Sequence, residues 1–341
     1  MVAKRLLGAV IGSALLLSAC VNGGGSATDT VISYNTPEQW ANWGTVLEHF
    51  SESSGITAPN DPKNSGQALA ALQAEAGAPA ADVAYFGLVF GMQAKTKGLV
   101  APFESQSLDA VPADLKASDG SWFTVHQGAI AFLVNTDALG DTPVPKCWKD
   151  LTSAQYKDKV GFLDPKTAAV GYSVMAAANL GLGGSFDNWS PGLEWAGKLK
   201  QNGLSLPAQT ATSAVQQGEI PILIDADFNG YKLANTDDAP IKVVLPCEGS
   251  ISVPYVMSLV KNGPHQEAGR KLLEYALSDE AQRLFAESYL RPVRDVEVPD
   301  DVAKAMLPKA DYDKLVKTPD FAAMDKAQAG FLKRWNAEVA G

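Results

Sequence analysis

The residues of this chain best suited to chemistry are a cysteine near the start, two clustered acids, a pair of tryptophans and two candidate helix ends. Cys20 closes the run Leu17-Ser18-Ala19-Cys20, preceded by an apolar stretch at 6–17 and by Lys4 and Arg5. That order is a secretory signal peptide with a lipoprotein box: 1–19 is removed, small residues fit the peptidase, and the new N-terminal thiol carries a lipid. About a dozen apolar residues are too few for a span, which takes about 20. Residues 20–30, with Gly23-Gly24-Gly25-Ser26 among them, have little to bury and form a flexible tether.

Asp225 and Asp227 fall in the run D-A-D-F-N-G at 225–230, which opens like a calcium loop. The twelfth position is Thr236 instead of a bidentate acid, and the preceding residues read as a strand, so calcium is rejected. Trp40 and Trp43 follow the first predicted strand, where aromatic faces can hold a cation for about 0.5–2 kcal/mol. Ser65 with Gly66, and Thr167 with Ala168 and Ala169, precede or open predicted helices, whose free amides suit a carboxylate or phosphoryl oxygen as readily as an ordinary cap. His49, His126 and His265 have no metal-ligand spacing, and no nucleophile elbow or phosphate loop is present. No metal, cofactor or catalytic role is expected. A lipid-anchored hydrolase assembled from scattered residues is the alternative of another class.

The chain has 28 Lys plus Arg against 38 Asp plus Glu, a net charge of -10 that becomes -12 once Lys4 and Arg5 leave with the signal. Such a body is repelled by nucleic acid. Roughly 320 mature residues favour two lobes over one core. Cys147 and Cys247 are the two cysteines left after Cys20, and export makes a disulfide between them the expectation. Short β-rich runs alternate with amphipathic ones, the pattern of an α/β fold. Strands are predicted at 31–34, 57–60, 82–87, 129–135, 160–163, 221–224, 242–245 and 256–261. Helices are predicted at 40–53, 67–76, 171–180, 191–201, 265–277 and 280–288. The first helix carries Trp43, Val46, Leu47 and Phe50 at helical spacing. Ligands of open α/β sheets sit at strand carboxyl ends.

In order, the segments FSESSGI (50–56), SGQALAALQAE (65–75), PAADVAYFG (79–87), KGLVAPF (97–103), IAFLVNTDAL (130–139), WKDLTSAQYKDKVGFLDPKTAAVGY (148–172), GEIPILIDADFNGY (218–231), the run at 253–282 and RPVR (291–294) resemble the extracytoplasmic solute-binding proteins of ABC importers. The similar members bind iron, thiamine, polyamines or phosphonates. The resemblance implies a two-lobed, type II periplasmic-binding fold with a ligand cleft that closes on solute. It puts lobe 1 at 31–126 plus 254–300 and lobe 2 at 127–253 plus 301–341, with crossovers near 126–131 and 249–254 and the two cysteines close together beside them. It implies cleft positions for Trp40, Trp43, Ser65, Tyr85, Phe86, Thr167, Tyr172, Asp225, Asp227, Asn229, Tyr231 and Tyr255, with Trp43 and Asp227 meeting one ligand from opposite lobes. Asp227-Phe228-Asn229 stands where ferric binders carry adjacent tyrosines, and Tyr255 where polyamine binders carry an acid, which argues against both ligands. An amine-bearing solute, such as an aminophosphonate, a polyamine or a thiamine-like compound, is the expectation, and one that also carries a phosphoryl or carboxyl group uses both the acids and the helix ends. A ferric ion or a phosphoryl or carboxylate anion bound by the same fold is the alternative. A monomer delivering solute to importer membrane subunits is expected, exported and held at a membrane by its lipid.

Overall fold

The structure, a computed structural model, describes residues 30–207 and 211–340. The signal peptide, Cys20 and the tether up to residue 29 lie outside the described residues.

Strands β1 (Ser33–Tyr34), β2 (Asn60–Asp61), β3 (Val83–Gly87) and β4 (Val100–Ala101) build the sheet of the first lobe, with β1 parallel to β2 and β3. The second lobe is built on β6 (Val160–Gly161), β7 (Ile222–Ala226) and β8 (Ile241–Val244). Two long antiparallel strands, β5 (Phe123–Asn135) and β9 (Ser250–Val260), run through both. The first half of β5 pairs with β9, its second half with β7 and β8, while β9 pairs onward to β3. The path β2-β1-β3-β9-β5-β7-β6 is therefore continuous through two hinge strands, with β10 (Arg291–Pro292) added to β5 and β11 (Val316–Lys317) to β9.

Helices α1 (Trp43–Ser54), α2 (Ser65–Ala74) and α3 (Leu88–Thr96) cover the first lobe. The second carries α4 (Thr136–Leu139), α5 (Ala169–Gly181), α6 (Ser190–Gln201), α7 (Thr212–Gln216) and α8 (Asp227–Asn235). The chain returns to the first lobe with α9 (Gln266–Ala276) and α10 (Asp279–Glu287), which pack on β9 and α1. It ends with α11 (Asp300–Ala305), α12 (Lys309–Leu315) and α13 (Phe321–Trp335). Helix α13 packs Phe331 on Tyr172 and Trp189 of the second lobe, while its Asp325 accepts from Gln93 of α3 in the first.

Local sequence explains the elements that bear on the cleft. Trp43, Val46, Leu47 and Phe50 form one buried face of α1, and Gly55 closes it in the left-handed conformation. Helix α2 is opened by a capping box in which Asn64 and Gln67 satisfy each other's backbone amides. Cys147 and Cys247 form a disulfide across a sequence separation of 100, with Cα atoms 4.8 Å apart. The adjacent Trp148 donates from its ring to Gly249 O, tying this corner to the start of β9.

Several elements differ from the sequence expectation. The strand expected at 57–60 is an isolated bridge at Thr57, with pairing proper at Asn60–Asp61. The segment after β3, for which no element is predicted, is helix α3, and residues 227–231, expected only to face the cleft, form the first part of α8. Strand β5 begins at Phe123, well before the expected 129, because it continues through the crossover.

Candidate functional site

A cavity of about 550 Å³ opens where the loops of the two lobes face each other. The first lobe contributes the turn after β1 (Asn35, Pro37, Glu38, Gln39, Trp40), the approach to α2 (Asn60, Pro62, Lys63, Asn64, Ser65) and Tyr85 at the end of β3. Leu163 after β6, Ala168, Ala169 and Val170 at the start of α5, and Thr212 and Ser213 face them from the second lobe. Tyr255 of hinge strand β9 forms the floor.

The floor is aromatic and locked. Tyr255 lies opposite His126 in the strand register, and its ring stacks on Tyr85 at 5.2 Å and on His126 at 5.5 Å. Trp40 donates from Nε1 to the Tyr85 hydroxyl (3.2 Å), which in turn pairs with His126 Nε2 (2.8 Å). Burial drives His126 down to about 3, so the imidazole is neutral, and burial holds the Tyr85 and Tyr255 hydroxyls well above their usual range. Trp40 makes T-shaped contacts with Phe228 and Tyr255 and also lines the cavity.

The walls are donors. Ser65 Oγ accepts from Asn35 Nδ2 (3.3 Å) and Gly87 N (3.0 Å), so the hydroxyl's own proton remains for a ligand. Helix α5 has Ala168 at its N-cap with no side-chain cap, and among the described residues the amides of Ala169 and Val170, two residues that line the cavity, have no protein acceptor. An uncapped helix start carries partial positive charge and favours an anion. The exposed Glu38 carboxylate at the mouth is the opposite pole, and Lys63 beside it is paired with Asp61 and lies over the Tyr34 ring.

The sequence of this chain matches the family of bacterial extracellular solute-binding proteins over residues 78–327. The chain belongs to that family. It is 29% identical over 264 residues, 75% of each chain, to a periplasmic protein of Salmonella typhimurium named for 2-aminoethylphosphonate binding. Among solved structures it is similar to the periplasmic binding protein P5PA (TM-score 0.79, 19% identity, 91% of this chain and 99% of that one). It is also similar to the periplasmic binding protein AfuA of Actinobacillus pleuropneumoniae with exogenous fructose-6-phosphate (TM-score 0.78, 21% identity, 91% and 98%). The two lobes are thus a type II periplasmic-binding fold, and the protein is an exported solute-binding component of an ABC import system.

Within this solute-binding protein, Trp40, Ser65, Tyr85 and Tyr255 line the cavity, as do Ala168 and Ala169 of the expected helix start, whereas Trp43, Phe86, Thr167, Tyr172, Asp225, Asp227, Asn229 and Tyr231 do not. Trp43 is fully buried, wedged edge-on between Tyr85 and Phe285, because the apolar face of α1 places it in the core. Phe86 points to the opposite side of β3, into the core under α2 and α3. Tyr172 is buried one turn into α5 and donates to Met324 O. Thr167 lies just behind the cavity wall; its carbonyl accepts from Gly66 N, and its buried hydroxyl has no partner among the described residues. Asp225 ends β7 beneath Tyr255, where burial pushes its carboxyl up to about 7. Asp227 accepts from the amides of Ala129 and Phe228, and burial raises it to about 6 against the opposing pull of Arg291. Asn229 donates to Asp225, and the Tyr231 hydroxyl accepts from Leu307 N on the far side.

The sequence reading anticipated the amides at the start of α5 but missed Glu38 and Asn35. Asn64-Ser65-Gly66-Gln67 carries a readable capping box that fixes Ser65 as the first helical residue, and the lack of any capping side chain at Ala168 was equally visible. Glu38 has no sequence signal of its own.

Proposed function

We propose that the cleft captures a small zwitterion carrying an amine and a phosphonate or phosphate group, with 2-aminoethylphosphonate as the leading candidate. The observation that carries this reading is the cavity's polarity: the uncapped α5 amides and the free Ser65 proton on its walls, and an unpaired Glu38 carboxylate at its mouth. Phosphonyl oxygens accept from the amides and the hydroxyl. The amine stands against Glu38, with Trp40 bounding the same part of the cavity. The Salmonella typhimurium relative's name supports this chemistry.

Iron fits less well. Ferric ion takes phenolates, and the two tyrosines at the cavity have hydroxyls that burial keeps protonated, one of them already engaged by Trp40 and His126. The lobes divide at the hinge, 31–126 plus 254–300 against 127–253 plus 301–341, and the mature chain acts as a monomer tethered by lipid on Cys20. It binds and releases its solute unchanged.

Calorimetry tests the reading with 2-aminoethylphosphonate, ethylphosphonate, inorganic phosphate and fructose-6-phosphate. The first should bind tightest, and ethylphosphonate, lacking the amine, at least 10-fold more weakly. Ser65→Ala should weaken every phosphonate. Equal binding of the two phosphonates removes the role given to Glu38, and tighter binding of fructose-6-phosphate moves the assignment to phosphorylated sugars.

A further inference from the structure

Two glycines of the first lobe touch one segment of the second. Gly66 N donates to Thr167 O at 2.9 Å, and a Cβ on Gly66 would stand 2.5 Å from that oxygen. A Cβ on Gly87 would stand 2.3 Å from the Cβ of Ala169. Both distances are far inside van der Waals contact. Neither glycine is required by its backbone: Gly87 has φ -60 and ψ 141, and Gly66 is an ordinary helical residue without a positive φ. Space for the opposite lobe is what each position provides.

The segment they receive, 167–169, leads into α5, whose uncapped amides line the cavity. We propose that Gly66 and Gly87 form a closure seat, a pair of positioning residues into which 167–169 settles when the cleft shuts. Seating carries the Ala169 and Val170 amides to the ligand, and the Gly66–Thr167 hydrogen bond is made in the same movement. A methyl group at either glycine holds the cleft ajar and leaves each lobe intact. For Gly66 the two effects have opposite sign, since alanine is the better helix former within α2 while it obstructs the seat.

The proposal rests on the capture reading only through its probe. Gly66→Ala and Gly87→Ala are compared with wild type by melting without ligand and by calorimetry and solution scattering with 2-aminoethylphosphonate. Without ligand, Gly87→Ala should melt with the wild type and Gly66→Ala at or above it. With ligand, both should bind at least 10-fold more weakly and lose the ligand-induced compaction, and Ala169→Gly in the Gly87→Ala background should recover most of the loss. Wild-type affinity and compaction in both single variants overturn the seat. So does a ligand-free melting loss of several degrees, or failure to fold, in Gly87→Ala that Ala169→Gly reverses, because the contact is then permanent packing. If 2-aminoethylphosphonate leaves the wild type unmoved, the ligand assignment has failed and ligand-free melting decides the seat: unchanged or raised values support it, and a fall in both variants overturns it.

Discussion

Replacing Asp225 by Asn should change how the protein's stability depends on pH. Asp225 is fully buried below the cavity floor, its Oδ1 accepting from Ala226 N (2.6 Å) and Asn229 Nδ2 (3.4 Å), its Oδ2 buried without a partner. Burial raises its carboxyl from 3.8 to about 7, so the folded protein holds this proton more tightly than the unfolded chain. Stability therefore falls as pH rises from about 4 through 7, and the full burden is present above 7. At 1.36 kcal/mol per pK unit, this one group costs the wild type about 2–3 kcal/mol between pH 5 and pH 8. The asparagine cannot ionise and escapes that slope. Its amide has no acceptor where Oδ2 now lies, a constant penalty of about 1–3 kcal/mol at every pH, so the test lies in the slope and not in the absolute value. Urea unfolding at pH 5, 6, 7 and 8 should show the variant gaining on the wild type by about 2–3 kcal/mol across the series. Parallel profiles for the two proteins would refute the argument and mean that Asp225 is solvated or paired in the folded state.

Trp40→Ala should weaken solute binding at least 10-fold by calorimetry, whereas Trp43→Ala should cost about 3–5 kcal/mol of stability by denaturant unfolding, as expected for a buried tryptophan. Reducing the Cys147–Cys247 disulfide, which closes a loop with a sequence separation of 100, should lower stability by about 2–4 kcal/mol and leave the cavity's composition unchanged. Cys20→Ser should release the protein from the membrane fraction or leave the signal uncleaved, and immunoblotting of fractionated cells reads either result.

The fold was legible where burial leaves a periodic trace. The face Trp43-Val46-Leu47-Phe50 announced α1 and also placed Trp43 inside it, so its assignment to the ligand on grounds of resemblance went against the spacing. The hinge was partly legible: the apolar second half of β5 read as a strand, whereas its first half carries Thr124 and His126 and β9 opens with Ser250 and Ser252, and burial of these polar residues in a sheet covered on both faces is not visible in the sequence. Helix α8 was hidden, since Asp227, Asn229 and Gly230 are poor helix formers and the burial of Phe228 and Leu233 overrides them. Glu38 was hidden for another reason. An acid on a surface turn becomes a site residue only when a second lobe, more than a hundred positions away in sequence, supplies the opposite pole.

On the proposed reading, the donor arrangement predicts that an empty cleft favours the open form. In the closed form the Ala169 and Val170 amides and the Ser65 proton face the cavity with no protein acceptor, whereas an open cleft lets water reach them. Each buried donor left unsatisfied costs about 1–3 kcal/mol, so closing without solute is unfavourable by several kcal/mol. An anionic oxygen at the end of α5 replaces the missing cap with charge-assisted bonds worth about 1.5–3 kcal/mol each. Three such bonds match the roughly 5.5 kcal/mol of differential affinity needed to turn a population from 1:99 closed to 99:1 closed. If the solute is the proposed zwitterion, closure is driven by the anionic group that bridges the lobes, and Glu38, on the first lobe alone, would select among anions without itself favouring one lobe arrangement over the other.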